Sequence, residues 1–155
     1  MGVEIERKFL VKKELWEALE KPKGNLYRQG YLLTDPNKTI RVRITDLCGY
    51  LTIKGISVGA TRPEFEYEIP GNEAEQLLDN FSVSELKKIR YEILFKGKLW
   101  EVDEFLGNNQ GLVVAEIELN SESEIFELPD WVDREVTGEG KYYNSNLSIN
   151  PFTKW

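Results

Sequence analysis

Charged and apolar residues alternate along most of this 155-residue chain, and this alternation constrains its fold more than any other feature. The first example opens the chain, where Glu4, Glu6 and Lys8 occupy alternate positions. Because successive side chains of a β-strand point to opposite faces, these three charges share one face of a strand. Ile5 and Phe9 share the other face, so the segment predicts a strand with one charged side and one apolar side.

The same alternation recurs in six later segments, each predicted as a strand. The charged positions in these segments are Arg41 and Arg43; Lys54; Glu64, Glu66 and Glu68; Lys88, Arg90 and Glu92; Glu101 and Asp103; and Glu116 and Glu118. An open sheet with a solvated polar face is the alternative, but it favours more neutral polar residues and needs more than a few short helices to cover its apolar face. We therefore predict a mainly β, α+β fold: an eight-stranded antiparallel closed tunnel with a charged lumen and a few short helices outside.

Turn residues and apolar periodicity set the predicted boundaries. The eight strands are predicted at Val3 to Val11, Leu26 to Leu33, Thr39 to Leu47, Tyr50 to Val58, Thr61 to Ile69, Leu86 to Phe95, Lys98 to Phe105 and Leu112 to Asn120. Helices are predicted at Lys13 to Glu20 and at Asn72 to Asn80, the second capped by Asn72. Asp35-Pro36-Asn37 predicts a turn, and the tail from Glu122 predicts helix and loop. With no linker or repeat, residues 1–155 are predicted to form a single domain.

Composition excludes several classes of function. The net charge of −7 opposes binding of nucleic acid on an open basic face. The chain has no histidine, which removes the usual general base, the usual zinc ligand and every Ser-His or Cys-His nucleophile. No apolar run approaches the roughly 20 residues that span a bilayer, and a single cysteine and a charged N-terminus predict a cytoplasmic protein without a signal peptide.

The charges of the predicted lumen are of two kinds that suit two parts of one ligand. Its lysines and arginines suit phosphate oxygens, which Arg contacts in a bidentate manner. Its carboxylates, paired at alternate positions as in Glu4/Glu6 and Glu116/Glu118, suit a hard cation such as Mg²⁺ or Mn²⁺. A complex of a divalent metal with a polyphosphate would neutralise both sets.

The order of these motifs resembles that of a known family. The opening Glu4-Ile5-Glu6-Arg7-Lys8 resembles the Glu-X-Glu-X-Lys signature of the CYTH family, the triphosphate tunnel metalloenzymes. The similarity continues through Arg41-Val42-Arg43, Lys54, Glu64 to Glu68, Lys88-Ile89-Arg90, Trp100 to Phe105, Ala115 to Leu119, Val136-Thr137-Gly138 and Lys141 to Asn144. It implies an eight-stranded antiparallel tunnel that binds a triphosphate-containing small molecule together with divalent metal.

The resemblance also implies a role for each matching position. The implied metal ligands are Glu4, Glu6, Glu66, Asp103, Glu116 and Glu118, with Glu64 and Glu68 as alternatives to Glu66 on the same face. The implied substrate-binding residues are Lys8, Arg41, Arg43, Lys54, Lys88, Arg90 and Lys141. Lys54 and Lys88 are the implied catalytic residues. Lys54 would position or deprotonate the attacking water, and as a base it would need its pKa lowered by nearby cations.

These expectations favour an enzyme that hydrolyses inorganic tripolyphosphate to pyrophosphate and phosphate, because so short a chain leaves little room for a nucleoside pocket. Cyclisation of ATP to cyclic AMP and hydrolysis of an organic triphosphate, such as thiamine triphosphate or a nucleotide, are the catalytic alternatives. A polyphosphate-binding module is the non-catalytic alternative. We expect no nucleic-acid or membrane partner, and a homodimer is compatible with the sequence.

Overall fold

The computed structural model describes residues 2–35, 37–46 and 48–155, which form nine strands and three short α-helices. The strands are β1 (Val3–Val11), β2 (Asn25–Asp35), β3 (Lys38–Thr45), β4 (Cys48–Lys54), β5 (Thr61–Pro70), β6 (Ser84–Phe95), β7 (Lys98–Phe105), β8 (Val113–Glu118) and β9 (Val132–Glu135). The helices are α1 (Lys13–Ala18), α2 (Gly71–Phe81) and α3 (Asn144–Leu147).

The first eight strands close into an antiparallel barrel, as predicted. Their order is β5-β4-β3-β2-β6-β7-β8-β1, and β1 then pairs with β5 to close the ring. β1 pairs along one edge with β8 and along the other first with β5 and then with β9. In this order β1 and β8 lie across the barrel from β2 and β3, so charges on these strands face one another across the lumen.

The predicted boundary that differs most is the end of the fourth strand, and two predictions involve residues that the structure does not describe. β4 ends at Lys54, four residues before the predicted end, because the chain turns there and Val58 forms only an isolated bridge with Thr61. Pro36, in the predicted turn, and Leu47, the predicted end of the third strand, lie outside the described residues.

The outward face of the barrel carries the main apolar core. Phe9, Trp100 and Trp131 are at most 3% exposed and pack with Trp16 of α1, whose ring centroid lies 5.2 Å from that of Trp131. The Trp16 indole nitrogen donates a hydrogen bond of 2.7 Å to Glu104, so its one polar group is satisfied. Burial of these aromatic rings keeps the alternating strands in the register that turns their charges inward.

The helix α2 covers a second apolar patch, over β3 and β4. Its Ala74 and Leu78 are buried against Val42. Gly49 of β4 allows this close approach, since a Cβ there would lie 2.5 Å from the Cβ of Ala74. The prediction that Asn72 caps this helix is wrong: the helix begins after Pro70, which places Asn72 inside the first turn, and no side chain caps the end.

The C-terminal part packs back onto the barrel. Beyond the helix and loop that were predicted, it contains β9, a strand of four residues that is too short for its alternation to be recognised. Tyr142 and Leu147 are buried against Leu86 and Phe105 of the barrel. Within the described ranges, no helix is long and apolar enough to cross a membrane.

Candidate functional site

The barrel encloses a strongly charged cavity of about 220 Å³, and 14 of its 24 lining residues are glutamate, lysine or arginine. Seven of them are basic: Lys8, Arg41, Arg43, Lys54, Arg62, Lys88 and Arg90. Seven are acidic: Glu4, Glu6, Glu64, Glu66, Glu101, Glu116 and Glu118. The protein carries a net charge of −7, but its lumen is balanced, so the excess negative charge lies elsewhere.

Most of the residues singled out in the sequence line this cavity together. Of the 13 predicted site residues, the two that do not line it are Asp103 and Lys141. Asp103 is 1% exposed and lies behind the lumen surface, where it contacts Lys88 and Arg90. Lys141 is exposed on the tail with its ammonium group 4.4 Å from the ring centroid of Trp155.

Of the three candidate glutamates on β5, two reach the cavity. Glu64 lies beside Lys54, and Glu66 accepts a hydrogen bond of 3.0 Å from Thr52 and lies 3.5 Å from Arg41. Glu68 is exposed and does not line the cavity. The barrel therefore keeps Glu66 and its neighbour Glu64 in reach of the lumen, while Glu68 lies too far along the strand.

One side of the lumen is formed by four carboxylates that we call the acidic wall: Glu4 and Glu6 of β1 and Glu116 and Glu118 of β8. The strand register places Glu6 opposite Glu118, and Lys8 opposite Glu116. Burial, together with the adjacent Glu116 and Glu4, raises the pKa of Glu6 well above its usual value. Burial and neighbouring carboxylates likewise raise the pKa values of Glu4 and Glu118. These groups are crowded acids with too little positive charge beside them.

Glu116 is the exception in the acidic wall because it has two cationic partners. It accepts hydrogen bonds of 2.6 Å from Lys8 and 3.0 Å from Arg90. Although burial opposes ionisation, Lys8 and Arg90 hold the pKa of Glu116 well below its usual value. Glu116 thus stays ionised and links this wall to the cations.

Further round the barrel lie four cations that we call the basic wall: Arg41 and Arg43 of β3, which lies across the lumen from β8, and Lys88 and Arg90 of β6. Arg43 has no carboxylate within ion-pair distance among the described residues, and its Nε donates to Gln29 at 3.2 Å. Burial, together with Arg41 and Arg90, lowers the pKa of Arg43 to about 10. The Nε of Arg41 is buried without a hydrogen-bond acceptor. This wall therefore has donors and positive charge that its own carboxylates do not satisfy.

Asp103 holds the other half of the basic wall in place. Arg90 donates to its two oxygens at 2.8 and 2.9 Å, and the Lys88 ammonium lies 2.8 Å from it. Burial lowers the pKa of Lys88 to about 7, and the attraction of Asp103 offsets only part of this effect. A bidentate contact of this kind, through Nε and Nη2, orients the guanidinium rigidly, so that Nη2 also donates to Glu116 and the remaining nitrogen, Nη1, donates to Glu101.

Lys54 lies at the edge of the acidic wall. Its ammonium is 3.2 Å from Glu4 and 3.3 Å from Glu64, so its nearest charged neighbours are carboxylates rather than the cations expected from the sequence. An arrangement of this kind holds the ammonium at a defined point of the lumen through two acceptors.

The structure adds lining residues that the sequence interpretation omitted. Arg62 faces the cavity opposite Glu4 in the β1–β5 register, and it has the same strand parity as Glu64 and Glu66, so the alternation itself could have identified it. Glu101 was placed on the charged face but not in the site, and it accepts a hydrogen bond of 3.1 Å from Arg90.

Three uncharged lining residues carried no such signal. Tyr31 lies on β2, which has few charges in its alternation, and Thr39 lies at the start of β3. Asn144 comes from the C-terminal segment, where no periodic pattern indicates which side chains turn inward.

The acidic wall fits a divalent cation by the chemistry of its donors. Its oxygen ligands are those that Mg²⁺ and Mn²⁺ prefer, and the raised pKa values of Glu4 and Glu6 show that Lys54 and Lys8 offset only part of the cost of burying these carboxylates. Among the described residues, no three acidic side chains are drawn together closely enough to hold a metal ion as they stand. Lys8 and Lys54 contact two of these carboxylates, so an arriving cation would compete with ammonium groups.

Comparison with known proteins places this geometry in a family. The sequence model of the CYTH domain matches residues 2–148. An inorganic triphosphatase of Acetivibrio thermocellus is 52% identical over 153 residues, which cover 98% of this chain and 97% of that protein. An inorganic triphosphatase of Nitrosomonas europaea is 34% identical, with 95% of this chain and 97% of that protein covered.

The fold agrees as well. A solved structure of an inorganic triphosphatase, 31% identical, superposes with a TM-score of 0.65 and covers 96% of each chain. The family match extends over nearly all of the described barrel, including every strand that lines the charged cavity. The chain belongs to the CYTH family.

Proposed function

We propose that this protein is a divalent-metal-dependent triphosphatase that hydrolyses inorganic tripolyphosphate to pyrophosphate and phosphate. The observation that carries the proposal is the separation of charge in the lumen. Carboxylates predominate in the acidic wall and cations in the basic wall, although the cavity as a whole has seven acids and seven bases. The ion pairs that join them, such as Glu116 with Lys8 and Arg90, leave the pKa values of Glu4 and Glu6 raised and that of Arg43 lowered. In a metal–triphosphate complex, the cation would neutralise the carboxylates of the acidic wall and the phosphates would neutralise the cations of the basic wall.

The two relatives that match over nearly the whole chain are inorganic triphosphatases, which supports the same substrate for this protein. The lining of the cavity supports it too. Its aromatic members are Tyr31 and Tyr143, and the rest is mostly charged, which favours a bare polyphosphate over a nucleoside or a thiamine ring that needs apolar or stacking surfaces.

In this proposal the basic wall binds and orients the phosphates. Arg41 and Arg43 offer guanidinium donors that lack carboxylate acceptors of good geometry, and Lys88 and Arg90 are held by Asp103 from behind. Fixed donors of this kind stabilise negative charge that develops on phosphate oxygens during transfer, without the reorganisation that water would need. Arg62 would add a further cation near Glu4.

The acidic wall would hold the metal. Glu4, Glu6, Glu116 and Glu118 are the proposed ligands, with Glu66 within reach of a second ion, and Mg²⁺ or Mn²⁺ is the cation that suits their oxygens. Such a cation supplies neutralisation of phosphate charge and a more acidic water. Asp103 already has Lys88 and Arg90 as partners, so we propose that it acts through these two cations.

Lys54 is the proposed catalytic lysine on the acidic side. Its ammonium lies between Glu4 and Glu64. When Glu4 binds the metal instead of Lys54, the ammonium would be able to position the attacking water. Lys88, 1% exposed in the basic wall, would contact a phosphate at the reacting end of the chain. Both side chains are held by acceptors on fixed strands, which is what alignment of an attacking group requires.

A side-by-side assay tests the proposal. Purified protein is given tripolyphosphate, ATP or thiamine triphosphate with Mg²⁺ or Mn²⁺, and phosphate, pyrophosphate and cyclic AMP are measured separately. We expect phosphate and pyrophosphate from tripolyphosphate at the highest kcat/KM, and their loss when the metal is chelated. Glu4→Gln and Arg43→Ala should each slow the release about tenfold or more.

Other outcomes select the alternatives. Cyclic AMP and pyrophosphate from ATP would identify a cyclase, and preferred cleavage of thiamine triphosphate or ATP would identify an organic triphosphatase. Binding of tripolyphosphate without turnover of any substrate would identify a binding module. Any of these results would overturn the proposed reaction.

A further inference from the structure

Several polar residues of the C-terminal segment line the lumen, and one of them, Asn144, contacts a cation of the basic wall. Asn144, the first residue of α3, lines the cavity. Its neighbours Tyr142 and Leu147 are buried against the barrel, at 5% and 0% exposure, and so fix the backbone on both sides of it. The position of the Asn144 side chain is therefore set by the core of the protein.

The Asn144 amide joins a chain of hydrogen bonds within the basic wall. Its Oδ1 accepts from the Lys88 ammonium at 2.9 Å and from the Gln29 amide nitrogen at 3.2 Å. The Gln29 amide oxygen in turn accepts from Arg43 Nε at 3.2 Å. Gln29 is fully buried and Lys88 is 1% exposed, so neither has water as a ready substitute.

The two cations dictate the orientation of both amides. Lysine and arginine side chains only donate hydrogen bonds, so the oxygen of Asn144 must face Lys88 and the oxygen of Gln29 must face Arg43. The amide nitrogen of Gln29 then points at Asn144, as observed. One consistent set of donors and acceptors thus runs from the C-terminal segment to Arg43, which Asn144 does not touch.

A neutral acceptor at this point has a specific consequence. The Asn144 oxygen accepts hydrogen bonds from Lys88 and Gln29 without adding negative charge. The positive charge of Lys88 and Arg43 is therefore not reduced further and can attract an anion in the lumen. A carboxylate in the same place would accept the same hydrogen bonds but would repel that anion at short range.

From this geometry we infer that Asn144 is a positioning residue for triphosphate binding, which aligns Lys88 directly and Arg43 through Gln29 and adds no negative charge to the one that Asp103 already places beside Lys88. The inference rests on the proposed function, because it assumes a triphosphate beside these cations.

The test compares Asn144→Asp, Asn144→Ala and a matched control, Asn150→Asp. The control adds the same charge to the same C-terminal segment at an exposed residue outside the cavity. Binding of the non-hydrolysable imido analogue of tripolyphosphate with Mn²⁺ is measured by calorimetry, and folding is checked by circular dichroism and thermal unfolding.

We expect Asn144→Asp to fold with an unfolding temperature at or above that of the wild type, and to bind the analogue about tenfold or more weakly. Asn144→Ala should weaken binding as well, and by a smaller factor in an Arg43→Ala background than in the wild type, since Arg43 then no longer depends on alignment. Asn150→Asp should bind like the wild type.

Equal binding by Asn144→Asp and the wild type would overturn the inference, because a residue with only a packing role tolerates this isosteric change. An equal effect of Asn144→Ala with and without Arg43 would overturn the connection through Gln29. If Asn144→Asp fails to fold, the Asn144→Ala comparison decides. Failure of the wild type to bind the analogue or to hydrolyse tripolyphosphate would reject the proposed function and this inference together, whereas the results above leave the proposed function intact.

Discussion

The acidic and basic walls line one lumen, and they differ in the way the charge of each is left incompletely neutralised. In the acidic wall, burial and mutual repulsion raise the pKa values of Glu4, Glu6 and Glu118. In the basic wall, burial and neighbouring cations lower the pKa values of Arg43 and Lys88. The strands are rigid enough to hold like charges together on each side. The comparison shows that the ion pairs of the lumen still leave like charges grouped on each side, at a cost in stability that a ligand carrying both signs of charge would relieve.

The largest effect should come from substituting Glu116, the carboxylate of the acidic wall that contacts a cation of the basic wall. Glu116→Gln removes the charge that contacts Lys8 at 2.6 Å and Arg90 at 3.0 Å. We expect tripolyphosphatase activity to fall about a hundredfold or more, since a metal ligand and an orienting group are lost together. We also expect a destabilisation of about 3 kcal/mol in urea unfolding, because Lys8 and the buried Arg90 each lose one carboxylate partner.

Glu127→Gln is the matched control for this change. Glu127 pairs with Lys96 at the surface, where the two side chains are 66% and 58% exposed, and pairs of this kind contribute little. Its activity and stability should match the wild type. A Glu116→Gln variant that resembles this control would show that the two walls are not connected through Glu116.

Arg43→Ala should separate function from stability in the basic wall. Activity should fall about tenfold or more, as a phosphate contact is lost. The free energy of unfolding should stay within about 1 kcal/mol of the wild type, because relief of repulsion from Arg41 and Arg90 offsets the lost hydrogen bond to Gln29. Steady-state kinetics and urea unfolding measure the two quantities. A loss of stability as large as that of Glu116→Gln would mean that Arg43 is already well paired.

The pH dependence of stability should reveal the acidic wall. The pKa of Glu6 is raised well above 4.5, so between 4.5 and its raised value the folded protein binds a proton that the unfolded chain does not. Stability without metal should therefore fall as the pH rises from 4.5 through the raised pKa of Glu6. Glu116, with its lowered pKa, contributes only below 4.5 and does not cancel this trend.

Thermal unfolding in a chelating buffer across this pH range measures the trend, with Glu6→Gln as the comparison. The variant cannot titrate at this position, so its unfolding temperature should change less with pH than that of the wild type. Identical pH dependence in the two proteins would show that Glu6 is not a strained carboxylate.

The smallest effect should come from Lys141→Ala. The Lys141 side chain lies outside the cavity against Trp155, although the family resemblance of its neighbourhood suggested a substrate contact. We expect kcat/KM for tripolyphosphate to change less than about twofold, as for other exposed substitutions. A tenfold rise in KM would instead mean that the tail moves to bring Lys141 to the substrate.

Strand alternation explains why so much of the site was predictable. A charge on an alternate position of β1, β3 or β8 must face the lumen once the apolar positions are buried, so Glu6, Arg43 and Glu116 followed directly from the pattern. Arg62 carries the same signal and could have been found in the same way. The depth of a side chain along the tunnel does not follow from parity, which is why Glu68, on the correct face, lies beyond the cavity.

Contacts between distant segments were not predictable. Asp103 has the parity of a lumen residue but is covered by Lys88 and Arg90, because charge pairing across β6 and β7 outweighs the local pattern. Asn144 lies in a segment of short helical turns, where no period of two assigns its direction. Only the packing of Leu147 into the core turns that segment, and with it Asn144, towards the basic wall.

The most direct test of the central claim is the thermodynamic coupling between cation and anion. Thermal unfolding is measured with Mn²⁺ alone, with the imido analogue of tripolyphosphate alone, and with both. If the metal neutralises the acidic wall, the anion neutralises the basic wall, and each ligand also neutralises part of the charge of the other ligand, their effects should be coupled. The two together should then stabilise the protein by more than the sum of their separate effects, by about 1–3 kcal/mol. Strictly additive stabilisation, or none from the pair, would contradict the account of two incomplete walls joined by one metal–triphosphate complex.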